Sequence, residues 1–73
     1  MPKLPVLKPR QVIAALEKAG FHQVRQKGSH IQFKRGNLLV TVPSHPGDLN
    51  PGVLRSILRQ AQMSAEELIS LLN

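Results

Sequence analysis

Residues 30 to 42 carry two short runs in which apolar side chains recur at every second position: Ile31 and Phe33, then Leu38, Val40 and Val42. That period fits a strand with one buried face, whereas a helix brings every third or fourth residue to one side. Arg35-Gly36-Asn37 separates the runs and suits a tight hairpin connection. Upstream, Gln23-Val24-Arg25-Gln26 offers a third, more polar strand with Val24 as its apolar anchor, and Lys27-Gly28 turns the chain into the next one. Pro43 ends the last strand. A chain with this centre is committed to a small antiparallel sheet whose apolar face needs a cover.

Helical segments on either side supply the cover. Lys8-Pro9 opens the first, because proline at the first helical position loses only an N–H that has no partner there. Val12, Ile13, Leu16 and Ala19 then form one stripe, Gly20 provides a left-handed stop, and Phe21 folds back onto the stripe. The breaker-rich segment Pro43-Ser44-His45-Pro46-Gly47-Asp48 reads as a loop. Asn50 caps a second helix with Pro51 in its first turn and a stripe of Val53, Leu54, Ile57, Leu58 and Ala61. Ser64 and Glu67 form a capping box for a short final helix carrying Leu68, Ile69, Leu71 and Leu72. The expected architecture is therefore α+β, one domain over residues 1–73, with 1–7 as an extended lead-in. Its order is α-β-β-β-α plus a short C-terminal helix, with the helices on one face of a three-stranded antiparallel sheet. That order resembles the double-stranded-RNA-binding fold, although a fold alone does not set a function.

Charge narrows the functions. Ten Lys and Arg against four Asp and Glu give a net charge of +6. No acidic residue occurs between Glu17 and Asp48, an interval that holds Lys18, Arg25, Lys27, Lys34 and Arg35. The uncovered sheet face should present Gln23, Arg25, His30, Gln32, Lys34, Leu39 and Thr41, a polar and basic surface without a carboxylate. Such a face points to a polyanion. There is no cysteine, which fits a reducing cytoplasm and removes disulfides and thiolate metal sites. No apolar run reaches the roughly 18 residues of a membrane span, and the first residues lack a signal-peptide core, so a cytoplasmic protein without membrane contact is expected.

Among residues able to do chemistry, His30 stands at the start of a strand beside the turn glycine Gly28, on the solvent register with Gln32 and Lys34. Successive N–H groups around Gly28-Ser29 can form an anion-binding nest. His45 sits in the proline-rich loop, where pinning the loop is the leading reading and an auxiliary part at the same face the alternative. His22 falls in register with Val24 and reads as a partly buried packing residue. The three histidines have no metal-ligand spacing and no nearby carboxylate, so no metal and no cofactor are expected. Ser29 and His30 are strand neighbours that point to opposite faces, and are therefore no nucleophile–base pair. Cleavage of an RNA backbone suits what is left, since the substrate's own 2′-hydroxyl attacks and the protein supplies a proton-transfer group and positive charge. From the residues alone, a lone exposed strand histidine is more often ordinary surface. A non-catalytic RNA-binding module and a domain for an acidic protein partner both stay open.

Several ordered segments carry a more specific likeness. They are Leu16-Glu17-Lys18-Ala19-Gly20-Phe21, Val24-Arg25-Gln26-Lys27-Gly28-Ser29-His30, Thr41-Val42-Pro43-Ser44-His45 and Gly52-Val53-Leu54-Arg55-Ser56-Ile57-Leu58. In this order and spacing the chain resembles the HicA family of toxin mRNA interferases, the YcfA-like proteins, from about residue 8 onward. The resemblance implies a double-stranded-RNA-binding-like fold and metal-independent endoribonuclease activity on mRNA. It further implies inhibition by a HicB-type antitoxin and a free toxin that is monomeric. The family's catalytic histidine maps onto His30 and the histidine of its Pro-x-His loop onto His45. Its basic contacts map onto Lys27 and Lys34, and Arg25, Gly28, Ser29 and Gln32 are expected to complete the RNA-binding face. The chain has no Tyr or Trp, and Phe21 and Phe33 are expected to be buried, so binding should rest on backbone charge and not on base stacking.

Overall fold

In the computed structural model, which describes residues 3–72, the order of elements is α1 (Pro9–Lys18), β1 (His22–Lys27), β2 (His30–Arg35), β3 (Leu38–Pro43), α2 (Pro51–Ala61) and α3 (Ala65–Leu71). The strands form one antiparallel sheet in the order β1-β2-β3. Ile31, Phe33, Val40 and Val42 are buried on one face of it, under Val12, Ala15 and Leu16 of α1, Leu54, Ile57, Leu58 and Ala61 of α2, and Leu68 of α3. The architecture is the α+β layout expected, with all helices on one side. The lead-in is anchored: Leu7 is buried, and its carbonyl accepts a hydrogen bond from the Leu49 N–H at 2.8 Å. Residues 1 and 2 of that lead-in lie outside the described residues.

Each helix begins and ends for a local reason. Pro9 opens α1, and the Gln11 side-chain oxygen accepts from the Lys8 N–H at 2.9 Å. Gly20, at φ +96°, ends it with the paired bonds Phe21 N–H to Leu16 O and Gly20 N–H to Glu17 O, both 3.0 Å. A residue with a side chain rarely adopts that φ, and a Cβ there would also meet Arg35 Cδ at 3.3 Å. Asn50 Oδ1 accepts from Val53 N–H at 2.8 Å to cap α2. The Ser64–Glu67 box caps α3 through reciprocal bonds of 3.1 and 3.2 Å. The end of α2 repeats the geometry at Gly20 without a glycine. Gln62 takes φ +53°, Met63 N–H bonds Leu58 O at 2.9 Å, and Gln62 N–H bonds Arg59 O at 3.2 Å.

Strand β1 departs from the sequence reading. Lys27 pairs with His30, Gln26 with Ile31 and Arg25 with Gln32, but beyond a register shift Gln23 pairs with Phe33 and His22 with Lys34. Val24 is the extra residue of a β-bulge. It is 47% exposed and does not anchor the core. Gln23 shares its register with buried Phe33 and so stands on the helix-covered side of the sheet, not on the uncovered face, although on this edge strand it stays exposed. His22 shares its register with exposed Lys34 and is itself exposed, not a packing residue.

The cause is a conflict of parity. Phe21, 2% exposed, fixes which face the chain presents as it leaves α1. The two-residue turn between paired Lys27 and His30 fixes the other end, because Ile31 and Phe33 must be buried. Phe21 and Lys27 are six positions apart and would share a face in an unbroken strand, yet Phe21 is buried and Lys27 pairs with His30 on the uncovered face. One extra residue reconciles them.

Two outcomes follow for stability. Gln62→Gly relieves a left-handed residue that bears a side chain, and should raise the unfolding free energy by about 0.5–1 kcal/mol in a urea titration with an unchanged m-value. Deletion of Val24 restores the parity conflict and should cost about 2–3 kcal/mol, the scale of expelling one large apolar side chain. A deletion variant as stable as the parent would contradict the parity argument.

Candidate RNA-binding and catalytic face

Cross-strand partners share a face, so the register lays out the uncovered side of the sheet in rows. The first row is Lys27–His30–Pro43, the second Arg25–Gln32–Thr41 and the third His22–Lys34–Leu39. Apart from half-buried Gln32, Thr41 and Pro43 these residues are exposed. No carboxylate lies on any strand or in either hairpin turn, because the four acidic residues are Glu17, Asp48, Glu66 and Glu67.

The first two rows and the first turn border an open concavity of about 630 Å³, lined by Arg25, Lys27, Gly28, Ser29, His30, Gln32 and Thr41. The turn that closes it is built from its ends inward. Gly28, at φ +58°, occupies the first position of the two-residue loop, the pattern of a type II′ hairpin. No side chain or backbone within 4 Å would oppose a Cβ there, so the glycine answers to the backbone conformation alone. Gln26 Nε2 donates to the Gly28 carbonyl at 3.3 Å across the turn. The Ser44 N–H donates to the Ser29 carbonyl, which ties this turn to the loop after β3. His30 therefore begins β2 from a turn braced on both sides, with its imidazole on the open face.

Of the residues singled out in the sequence, Arg25, Lys27, Gly28, Ser29, His30 and Gln32 surround this one concavity. Lys34 stands outside it, in the third row. His45 lines a different depression with Lys8, Pro9, Arg10 and Ser44. Its Nδ1 lies 3.1 Å from the Pro46 carbonyl oxygen, a contact that needs the proton on Nδ1 and pins the loop. Thr41, which alternation places on the face, is part of the lining.

Arg35 is occupied elsewhere. Its Nη1 donates to the Ala19 carbonyl at 2.6 Å and its guanidinium lies over the Phe21 ring at 4.6 Å, so it staples the end of α1 to β2. Both phenylalanines are buried, Phe33 at 1% and Phe21 at 2%, which leaves no phenyl ring on the face. Among the described residues, no group of three or more His, Cys, Asp or Glu side chains gathers where a metal ion could be held. No helix of the described residues is long and apolar enough to cross a membrane.

Fold and face together define a small α-β-β-β-α domain with a basic, carboxylate-free sheet surface centred on a turn histidine. A family model described as the HicA toxin of bacterial toxin–antitoxin systems matches residues 9–63, from the first residue of α1 to the residue that closes α2. The chain belongs to that family, and an antitoxin partner goes with membership. No curated protein matches the sequence significantly.

Proposed function

We propose that the chain is a metal-independent endoribonuclease that cleaves mRNA, with His30 as its proton-transfer residue, and that a HicB-type antitoxin silences it by covering the His30 face. The observation that carries this reading is the placement of His30 in an open concavity with Arg25 and Lys27 and without a carboxylate. An RNA strand brings its own nucleophile. The 2′-hydroxyl oxygen attacks the adjacent phosphorus, the hydroxyl proton passes to a base, and the bond to the 5′-oxygen of the next nucleotide breaks as that oxygen takes up a proton. The products are a 2′,3′-cyclic phosphate and a 5′-hydroxyl.

His30 serves as the base that accepts the first proton or the acid that delivers the second. Lys27 and Arg25 stabilise the charge that builds on the phosphate oxygens, and N–H groups of the Gly28-Ser29 turn add fixed dipoles. Gln32 offers a neutral hydrogen-bonding side chain in the second row, and Lys34 holds the strand further along. Family membership supports the toxin assignment, and the open face supports a substrate without compact shape. The cytoplasm, where mRNA is translated, is the compartment this reading requires.

Cleavage of single-stranded RNA should persist in EDTA. His30→Ala should lower the rate by at least about a hundredfold, the usual contribution of a general acid or base, while thermal unfolding is unchanged. His45→Ala should leave the rate within about threefold, because His45 lines another depression. Cleavage by His30→Ala at the parental rate refutes the assignment. RNA bound but uncut by the parent protein identifies a non-catalytic RNA-binding module instead. Expression without antitoxin should arrest growth with the parent and not with His30→Ala.

Affinity should also fall with salt. With the three cations Arg25, Lys27 and Lys34 on phosphates, log K against log salt should have a slope of about −2 for a single strand. A slope near zero would place the binding energy somewhere other than these charges.

A further inference from the structure

The bulge at Val24 does more than reconcile parity. It carries His22 to the uncovered face, opposite Lys34, with Leu39 on the far side of Lys34. None of these three side chains lines the concavity around His30. His22 and Lys34 are both exposed, and Leu39, 48% exposed, is a large apolar side chain left uncovered on a polar face. The cation Arg25 belongs to the row between them and His30.

We infer that His22 and Lys34 form a second phosphodiester subsite, which holds the same RNA strand downstream or upstream of the bond that His30 attacks. The inference rests on the ribonuclease reading for the direction of the strand, but its test does not depend on cleavage. An imidazole donates a ring N–H to a phosphate oxygen in either protonation state, and the lysine ammonium adds a point charge beside it. Leu39 gives a base or ribose an apolar surface without a hydrogen-bonding code.

The distance suits one continuous strand. From His30 to Lys34 is four residues of β2, roughly 13 Å at about 3.3 Å per residue. At roughly 3.4 Å per stacked nucleotide this spans about four nucleotides, and fewer where the strand is drawn out. The Arg25 row lies midway and can take an intervening phosphate. A single phosphodiester at His30 cannot reach the His22 row, whereas an octanucleotide can.

The test compares the affinities of 2′-O-methyl oligonucleotides, which lack the attacking hydroxyl, for the intact protein. One is a dinucleotide with a single phosphodiester and the other an octanucleotide. His22→Gln should lower the ratio of octanucleotide to dinucleotide affinity by roughly three- to tenfold, the scale of one exposed charge-assisted phosphate contact. His22→Lys should restore the ratio, and unfolding midpoints should coincide. Arg55→Gln, which removes one charge from α2 on the covered side of the sheet, should leave the ratio unchanged. A ratio unaffected by His22→Gln, or lowered equally by Arg55→Gln, overturns the subsite. Either result leaves the ribonuclease reading to the cleavage assay. Absence of cleavage by the parent protein refutes that reading while the affinity ratio still decides the subsite.

Discussion

Phe21 and the two-residue turn at Gly28-Ser29 impose opposite parities on the six residues between them. The rest of the sheet is arranged around that conflict. Phe21 must be buried because the bonds that end α1 deliver it to the core, where Arg35 then covers its ring. Lys27 must be exposed because it pairs with His30, next to buried Ile31. The bulge at Val24 satisfies both. It moves an apolar residue out of the core and a histidine onto the open face, and it keeps Arg25 and Lys27 beside His30.

Division of labour among the cations follows from the same geometry. Arg35 closes the end of α1, through a carbonyl hydrogen bond and a ring contact. Lys18 reaches the Leu71 carbonyl at 3.2 Å and helps tie α1 to α3. Arg25, Lys27 and Lys34 remain on the uncovered face, on strands that carry no acidic residue. A positive net charge spread evenly would attract RNA without orienting it. Three cations on one carboxylate-free sheet face, beside a histidine that follows a braced turn, can present a phosphodiester to a proton-transfer group.

Much of this was legible in the sequence. Period-two alternation at Ile31, Phe33, Val40 and Val42, the caps at Asn50 and Ser64, and the glycine stop at Gly20 were each local signals, and the elements formed where those signals stood. The grouping of Arg25, His30, Gln32 and Thr41 followed from alternation along the strands, whereas Lys27 entered through the family likeness and proves to end β1 and not to begin the turn. Alternation alone failed at His22, Gln23 and Val24, where a β-branched residue in a strand suggested burial. Counting from Phe21 as well as from Lys27 exposes the mismatch, so the information was present but lay in two distant anchors. The end of α2 had no comparable signal. Gln62 takes a left-handed conformation that glycine usually fills, held there by Met63 folding back to Leu58. The occupation of Arg35 is equally invisible in sequence, since it depends on where α1 ends relative to β2.

The central claim is that the face around His30 cleaves RNA through the substrate's own 2′-hydroxyl. The most direct measurement is the chemical identity of the products from an RNA carrying one cleavable site, alongside the same RNA with a single 2′-deoxy substitution at that site. The account predicts a 2′,3′-cyclic phosphate and a 5′-hydroxyl from the first, and no cut at the substituted position in the second. A 5′-phosphate product, or cleavage that survives the 2′-deoxy substitution, would contradict it.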